Sequence, residues 1–190
     1  MKKMMVMLLM AVTIAGTSAC GTKSGAGNTT GSAAETTAQA EEAVDMEKVH
    51  VAVMDVYGED YIPVQPYDET AMKEIFGVEK SLYESYIAEG PMISVQIDQF
   101  VGIRAASGKG EEVEKLLQAY RDNLISGTLQ YPMNMAKIQA SEVVRFGDDV
   151  YFVMLGTPEP AEEEKGEEAA LESAKKNNQL AVDAIKGFYK

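Results

Sequence analysis

The run Val150-Tyr151-Phe152-Val153-Met154-Leu155 places six apolar side chains in succession. Successive side chains of a strand point to opposite faces, so an extended segment of this kind has no face fit for water. It belongs inside a sheet with other elements covering both sides. The residues before it supply its partner. Lys137 to Phe146 alternates Ile138, Ala140, Val144 and Phe146 against Gln139, Ser141 and Arg145, and Gly147-Asp148-Asp149 supplies the turn of a β-hairpin.

Upstream, Gln99 to Ala106 reads as a strand with Val101, Ile103 and Ala105 on one face and Phe100, Gly102, Arg104 and Ala106 on the other. Met92 to Ile97 reads as a second, shorter strand. Helical spacing predicts a helix from Met46 to Tyr57, ended by Gly58. A second follows a cap at Asp68 or Thr70 and stops at Gly77, and a third runs from Lys80 to Ala88. Glu111 to Ser126 is the clearest helix, with Val113, Leu116, Leu117, Tyr120 and Leu124 on one stripe. A last helix from about Glu167 repeats Leu171, Ala174, Ala181, Ile185 and Phe188, with Asn178 interrupting the stripe. Pro63 and Pro66 make residues 58–68 a structured loop. The fold class is therefore α+β: a mostly antiparallel sheet of three to four strands with helices packed against it. The strand–helix–strand unit over 99–146 also admits a parallel crossover.

Only part of the chain is available to this domain. Lys2 and Lys3 precede the apolar run Met4 to Ala15, and Gly16 to Ala19 are small residues leading to Cys20, the pattern of a signal peptide. A run of twelve residues is too short for a ~30 Å hydrocarbon layer, which takes about 20. Cys20 is the one cysteine of the chain and stands at the cleavage point, as in a bacterial lipobox, although Thr17 occupies the place where leucine is usual. The expectation is a lipoprotein signal over 1–19 and a lipidated Cys20 that anchors the protein to the cell membrane. The other reading is an ordinary secretory signal cut after Ala19. Residues 20–45 hold Gly, Ser, Thr and Ala with no aromatic ring, a flexible linker with a reach of about 25 to 30 Å. One domain over 46–190 remains. Without the signal, 15 cationic residues face 30 acids, a net charge of −15. Charge-driven binding to nucleic acid is excluded on that balance.

The segments Tyr83-Glu84-Ser85-Tyr86, Gly90-Pro91-Met92, Ile97-Asp98-Gln99-Phe100-Val101, Gly110-Glu111-Glu112-Val113, Tyr131-Pro132 and Gly147 to Phe152 resemble an uncharacterised family of Gram-positive lipoproteins known as domain of unknown function 4358. The resemblance covers roughly residues 46 to 156. It implies a lipid-anchored, extracytoplasmic location and transfers no catalytic residue.

The residues themselves nominate few sites. Gly108-Lys109-Gly110 stands between a strand and a helix, where glycine loops cradle phosphate. It lacks the following Lys-Ser or Lys-Thr, and Glu111 and Glu112 occupy the phosphate's place, so a tight turn is expected. His50 has neither a second histidine nor a free cysteine to share a metal and reads as a surface or edge residue. Glu59-Asp60 and Asp148-Asp149 are the carboxylate pairs an acid–base hydrolase would draw on. Met133-Asn134-Met135, with Met92 or Met154, suits copper(I), but methionine as core filler accounts for the pattern. Glu162 to Glu168 lacks the ligand spacing of a calcium loop. No metal and no cofactor is expected. The loop of Tyr57, Tyr61 and Tyr67 is the candidate ligand-binding surface, because prolines hold it and tyrosine rings suit a peptide, a glycan or an envelope protein. The expected function is a non-catalytic binding or envelope-interaction module. The alternative is an acid–base hydrolase using a carboxylate pair. A module should present an apolar or aromatic patch, a hydrolase a deep polar pocket with a carboxylate of raised pKa.

Overall fold

A computed structural model describes residues 43–127 and 129–189. The signal segment, Cys20 and the linker up to residue 42 lie outside the described residues. Five strands form one sheet: β1 (Gln65–Pro66), β2 (Tyr83–Gly90), β3 (Gln99–Ala105), β4 (Glu142–Phe146) and β5 (Asp149–Met154). Their order is β1-β2-β3-β5-β4, and every neighbouring pair is antiparallel. The helices are α1 (Met46–Tyr57), α2 (Glu69–Phe76), α3 (Gly110–Ser126), α4 (Met135–Ala140), α5 (Pro160–Glu163) and α6 (Glu167–Lys186). Among the described residues no helix is long and apolar enough to cross a membrane.

The doubly apolar run takes the place its composition demands. β5 lies between β3 and β4, and all of Val150 to Leu155 is buried. Val150, Phe152 and Met154 join Val101, Ile103 and Ala105 of β3 under α2, α3 and α4. Tyr151, Val153 and Leu155 join Phe100 on the opposite face, under Met46, Val49 and Val53 of α1 and Ala181 and Ile185 of α6. Each fully buried side chain of this size contributes about 1.5 to 3 kcal/mol, so the two layers are the main source of stability.

Four expectations need correction. The sheet has five strands rather than three to four, because Tyr83–Gly90 and the short edge pair Gln65–Pro66 join it. Residues 80–88 are a short 3-10 turn followed by strand β2, not a helix. The register opposite β3 slips between Tyr83 and Ser85, a β-bulge that inserts one residue. The bulge puts Tyr83 and Tyr86 on one face, edge to face at 5.1 Å, and so reproduces the three-residue spacing of a helix. Residues 92–97 are not a strand. β2 and β3 are antiparallel neighbours, so the chain between Gly90 and Gln99 has to reverse direction and has no ladder to join. The stretch 137–146 divides into α4 and β4, because Arg121 of α3 reaches across to the carbonyls of Ser141 (2.6 Å) and Gln139 (3.2 Å) and satisfies the helix end. β3 and β4 both run antiparallel to β5 and hence parallel to each other, but β5 lies between them, so the crossover through α3 joins strands that are not neighbours.

Asn178, the polar break in the α6 stripe, is fully buried, and its side-chain oxygen accepts the Leu155 N–H at 3.0 Å where the β5 ladder has ended. The Ser173 hydroxyl accepts the Glu159 N–H at 2.9 Å. The helix thus closes the backbone groups of the strand exit.

Val153 has no exposed surface and sits between β3 and β4. Val153→Asp buries an unpaired charge there and is expected to remove several kcal/mol of the ~5 to 15 that a domain possesses. Urea unfolding followed by circular dichroism reads the change. An unshifted midpoint would place this face of β5 in water.

Candidate functional site

The three tyrosines of the 57–67 segment go to three different places. Tyr57 is half-buried and donates its hydroxyl to the Asn177 carbonyl of α6 at 2.6 Å. Tyr61 is buried; its hydroxyl donates to Glu89 Oε2 at 3.0 Å and lies 3.1 Å from His50 Nε2. His50 Nε2 is in turn 3.0 Å from the same Glu89 oxygen, and the ring stacks on Phe100 at 5.1 Å. The expectation of an edge position for His50 is overturned: it is 8% exposed, held by a carboxylate on β2 that no local pattern connects to it. Burial raises the pKa of both Tyr57 and Tyr61, so both stay protonated donors.

Tyr67 lines an open cavity at the end of the sheet, while Tyr57 borders a separate one of about 460 Å³ beside Glu59 and Asp60. The Tyr67 hydroxyl accepts from Gln99 Nε2 at 3.1 Å, and Gln99 Oε1 accepts from the Tyr120 hydroxyl at 2.8 Å. This relay joins the start of β3 to α3, and edge-to-face contacts of Phe76 with Tyr67 (5.4 Å) and Tyr120 (4.9 Å) fix both rings. Gly90 is required beside it, since a Cβ at that position would collide with the Tyr67 hydroxyl. Burial pushes Tyr120 up to about 12 and raises Tyr67, so both phenols remain neutral at physiological pH. The cavity, about 370 Å³, has these polar groups in its lining, with Ile97, Leu124, Ile138 and Met154 as apolar wall and Met92 and Ile93 also contributing. It is a groove that pairs a hydrogen-bonding floor with apolar sides, the usual make-up of a ligand site.

The groove is bordered by two loops that expose large apolar side chains. In the reversing segment 91–97, Met92 (74% exposed), Ile93 and Val95 face solvent. In 129–133, Leu129 is fully exposed, Tyr131 60% and Met133 71%. The two loops are tied together. The Asn134 side-chain amide donates to the Val95 carbonyl at 3.3 Å, and Lys137 of α4 reaches both carboxylate oxygens of Asp98 at 2.6 Å in a buried pair. Removing one partner of such a pair costs about 3 to 5 kcal/mol, so the clamp holds the loops in register. Of the methionines, Met46, Met72 and Met154 are core filler, whereas Met54, Met92 and Met133 are exposed.

The carboxylate pairs are placed as follows. Asp149 makes a bidentate pair with Arg104 (2.8 and 2.9 Å) and accepts from the Tyr189 hydroxyl at 2.9 Å. Asp148 accepts the backbone N–H of Gly108 (2.9 Å) and Gly110 (3.0 Å). Glu59 and Asp60 lie exposed in a 3-10 turn. The glycine turn before α3 is thus filled by the protein's own carboxylate. Gly110 has no room for a side chain there, because a Cβ would strike the Gly147 carbonyl.

Gln99, Tyr120 and the 91–97 loop were not nominated by sequence. The signs available were a polar residue, Gln99, opening its strand and a phenol, Tyr120, on the apolar stripe of α3. Comparison with known proteins shows that the chain belongs to the family described as Domain of unknown function (DUF4358), which matches residues 57–155, just over half of the chain. That span contains Tyr67, Gln99, Tyr120, both apolar loops and Asp148. No curated protein and no solved structure matches the chain.

The two backbone N–H bonds hold the Asp148 carboxyl below its ordinary value of 3.8. A carboxyl depressed in the folded state stabilises it fully above the unfolded value, and that contribution fades as pH falls from 3.8 through the lower folded value. Asp148→Asn is therefore expected to be less stable than wild type at neutral pH, with the gap closing under acid. Thermal melts between pH 2 and 7 measure it, and a gap independent of pH would contradict the assignment.

Proposed function

We propose that this protein is a lipid-anchored, extracytoplasmic binding module, held to the membrane through Cys20 and contacting an envelope partner with the loops 91–97 and 129–133 around the Tyr67 groove. One observation carries this reading: six large apolar side chains, Met92, Ile93, Val95, Leu129, Tyr131 and Met133, stand exposed on two loops that a buried ion pair locks together. Leaving such a patch in water has no stabilising purpose for a monomer, and an ordered loop pair is a common means of presenting one. The contact surface shifts from the tyrosine loop as a whole to Tyr67, the one of the three that lines this groove, together with the neighbouring loops. Tyr57 and Tyr61 support the scaffold beneath. Neutral or cationic partners suit the acidic surface.

The anchoring half of the proposal rests on the sequence alone. Cys20→Ser is expected to leave the protein unprocessed or released from the membrane fraction. An unmodified N-terminal cysteine on a soluble wild-type protein, seen by mass spectrometry, would remove the anchor.

The binding half is tested by photo-crosslinking from single positions of the full-length protein in its own membrane. Crosslinks are expected from positions 93 and 131 and not from 51, an exposed valine site on α1. Ile93→Ser should abolish the crosslink from 131 while moving stability by less than about 0.5 kcal/mol, as for most surface changes. Equal labelling from all three positions would show that these loops are not a contact surface.

A further inference from the structure

A second cavity, about 730 Å³, opens on the other side of loop 129–133, between the turn that leads into α4 and the first turns of α6. It is about twice the volume of the Tyr67 groove and well inside the ~300 to 1,000 Å³ of ordinary ligand sites. Its walls are set by the fold, because α4 packs directly on α6. Ala136, Ala170 and Leu171 give it an apolar lining, and Met133 and Met135 add two unbranched thioether chains that adapt to the shape of whatever enters.

Its charge is of one sign. Glu163 of α5 and Glu167 and Glu168 in the first turn of α6 line the cavity and are exposed. None of the three makes an ion pair among the described residues, while Lys165, the one cation of this acidic run, is taken by Glu162 at 2.7 Å. The cation of α4, Lys137, is buried against Asp98. No lysine or arginine lines the cavity. An apolar cleft of this size with three unpaired carboxylates at its side is complementary to an occupant that brings apolar side chains and positive charge.

We infer that this cleft takes a cationic amphipathic peptide segment, with apolar side chains among Met133, Met135 and Leu171 and lysines or arginines against Glu163, Glu167 and Glu168. The inference rests on the reading of the protein as a binding module and names the chemistry of its partner. Anionic lipid and nucleic acid are repelled by the same carboxylates and by the net charge of the chain. A second copy of this chain carries the same net negative charge, which disfavours it as the occupant. Helix-in-groove recognition by an apolar face with flanking charge is an established way for such a cleft to work.

The probes are three synthetic peptides of about 14 residues with one spacing: leucine with lysine, leucine with glutamate, and serine with lysine. Binding to the mature full-length protein is followed by fluorescence anisotropy at low and moderate salt. The leucine–lysine peptide should bind, and its affinity should weaken as salt rises. Combined Glu163→Gln, Glu167→Gln and Glu168→Gln should lower that affinity about tenfold, given the modest worth of each exposed charge pair. Met133→Ser should also weaken it. A control with the same loss of charge elsewhere, Glu47→Gln, Glu74→Gln and Glu84→Gln, should stay within about twofold of wild type. Thermal melts confirm that both triple variants are folded. Equal binding of the serine–lysine peptide, or an equal loss in the control, would reduce the effect to diffuse attraction by an acidic protein and overturn the inference. So would equal binding of the leucine–glutamate peptide. Failure here leaves the crosslinks from positions 93 and 131 untouched, so the cleft and the module reading fail separately.

Discussion

The antiparallel ladder between β3 and β5 is the interaction on which the rest of the molecule depends. Its six register pairs, from Gln99 opposite Met154 to Arg104 opposite Asp149, join two strands that are both largely apolar on each face. A one-layer cover would leave either Phe152 and Ile103 or Tyr151 and Phe100 in water. Helices are therefore needed on both sides, and α2, α3 and α4 take one while α1 and α6 take the other. β4 lies at the edge of the sheet, and its residues are accordingly half-buried, with Arg145 exposed.

A double-faced core forces polar groups into places where water cannot serve them, and several of them are met by a partner from a distant element, although the Tyr83 hydroxyl and the Asn178 side-chain nitrogen have none among the described residues. Asn178 closes the exit of β5, and Lys137 neutralises Asp98 beneath the reversing loop. Arg104 and Asp149 lock the end of the β3–β5 ladder, with the Arg104 guanidinium also on the Val44 carbonyl and Tyr189 joined to Asp149. Burial pushes Tyr151, which shares a hydrogen bond with Tyr189, up to about 12. His50, Tyr61 and Glu89 form a similar knot under α1. These groups spend their hydrogen-bonding capacity on holding the layers together, and a broken pair would leave a costly orphan.

What remains outward at the end of the sheet near Gly90 and Met154 is different in character. Loop 129–133 supplies Gln130 to the groove of Tyr67, Gln99 and Tyr120, and Pro132 and Met133 to the acidic cleft beside α6. One short segment therefore belongs to both concave surfaces. The two differ in the ligand chemistry they suit, the first neutral and hydrogen-bonding, the second apolar with uncompensated negative charge.

By itself the sequence determined the class of fold and the most constrained elements. The β5 run, the β3 alternation, the caps at Asp68 and Gly77 and the stripes of α1, α3 and α6 rest on interactions within a few residues, and those survive in a pattern read along the chain. Tertiary structure decided the remainder. The bulge at Tyr83 gave a strand the spacing of a helix, and Arg121 ended α4 from another element. Pairing of β2 with β3 turned 92–97 from an apparent strand into an exposed apolar loop. Tyr57, Tyr61 and Tyr67 share a loop in sequence, yet Asn177, Glu89 and Gln99 draw them to three separate sites. The physical reason is common to all of these: hydrogen bonds and burial over tens of residues depend on which strands become neighbours, and no local period records that choice.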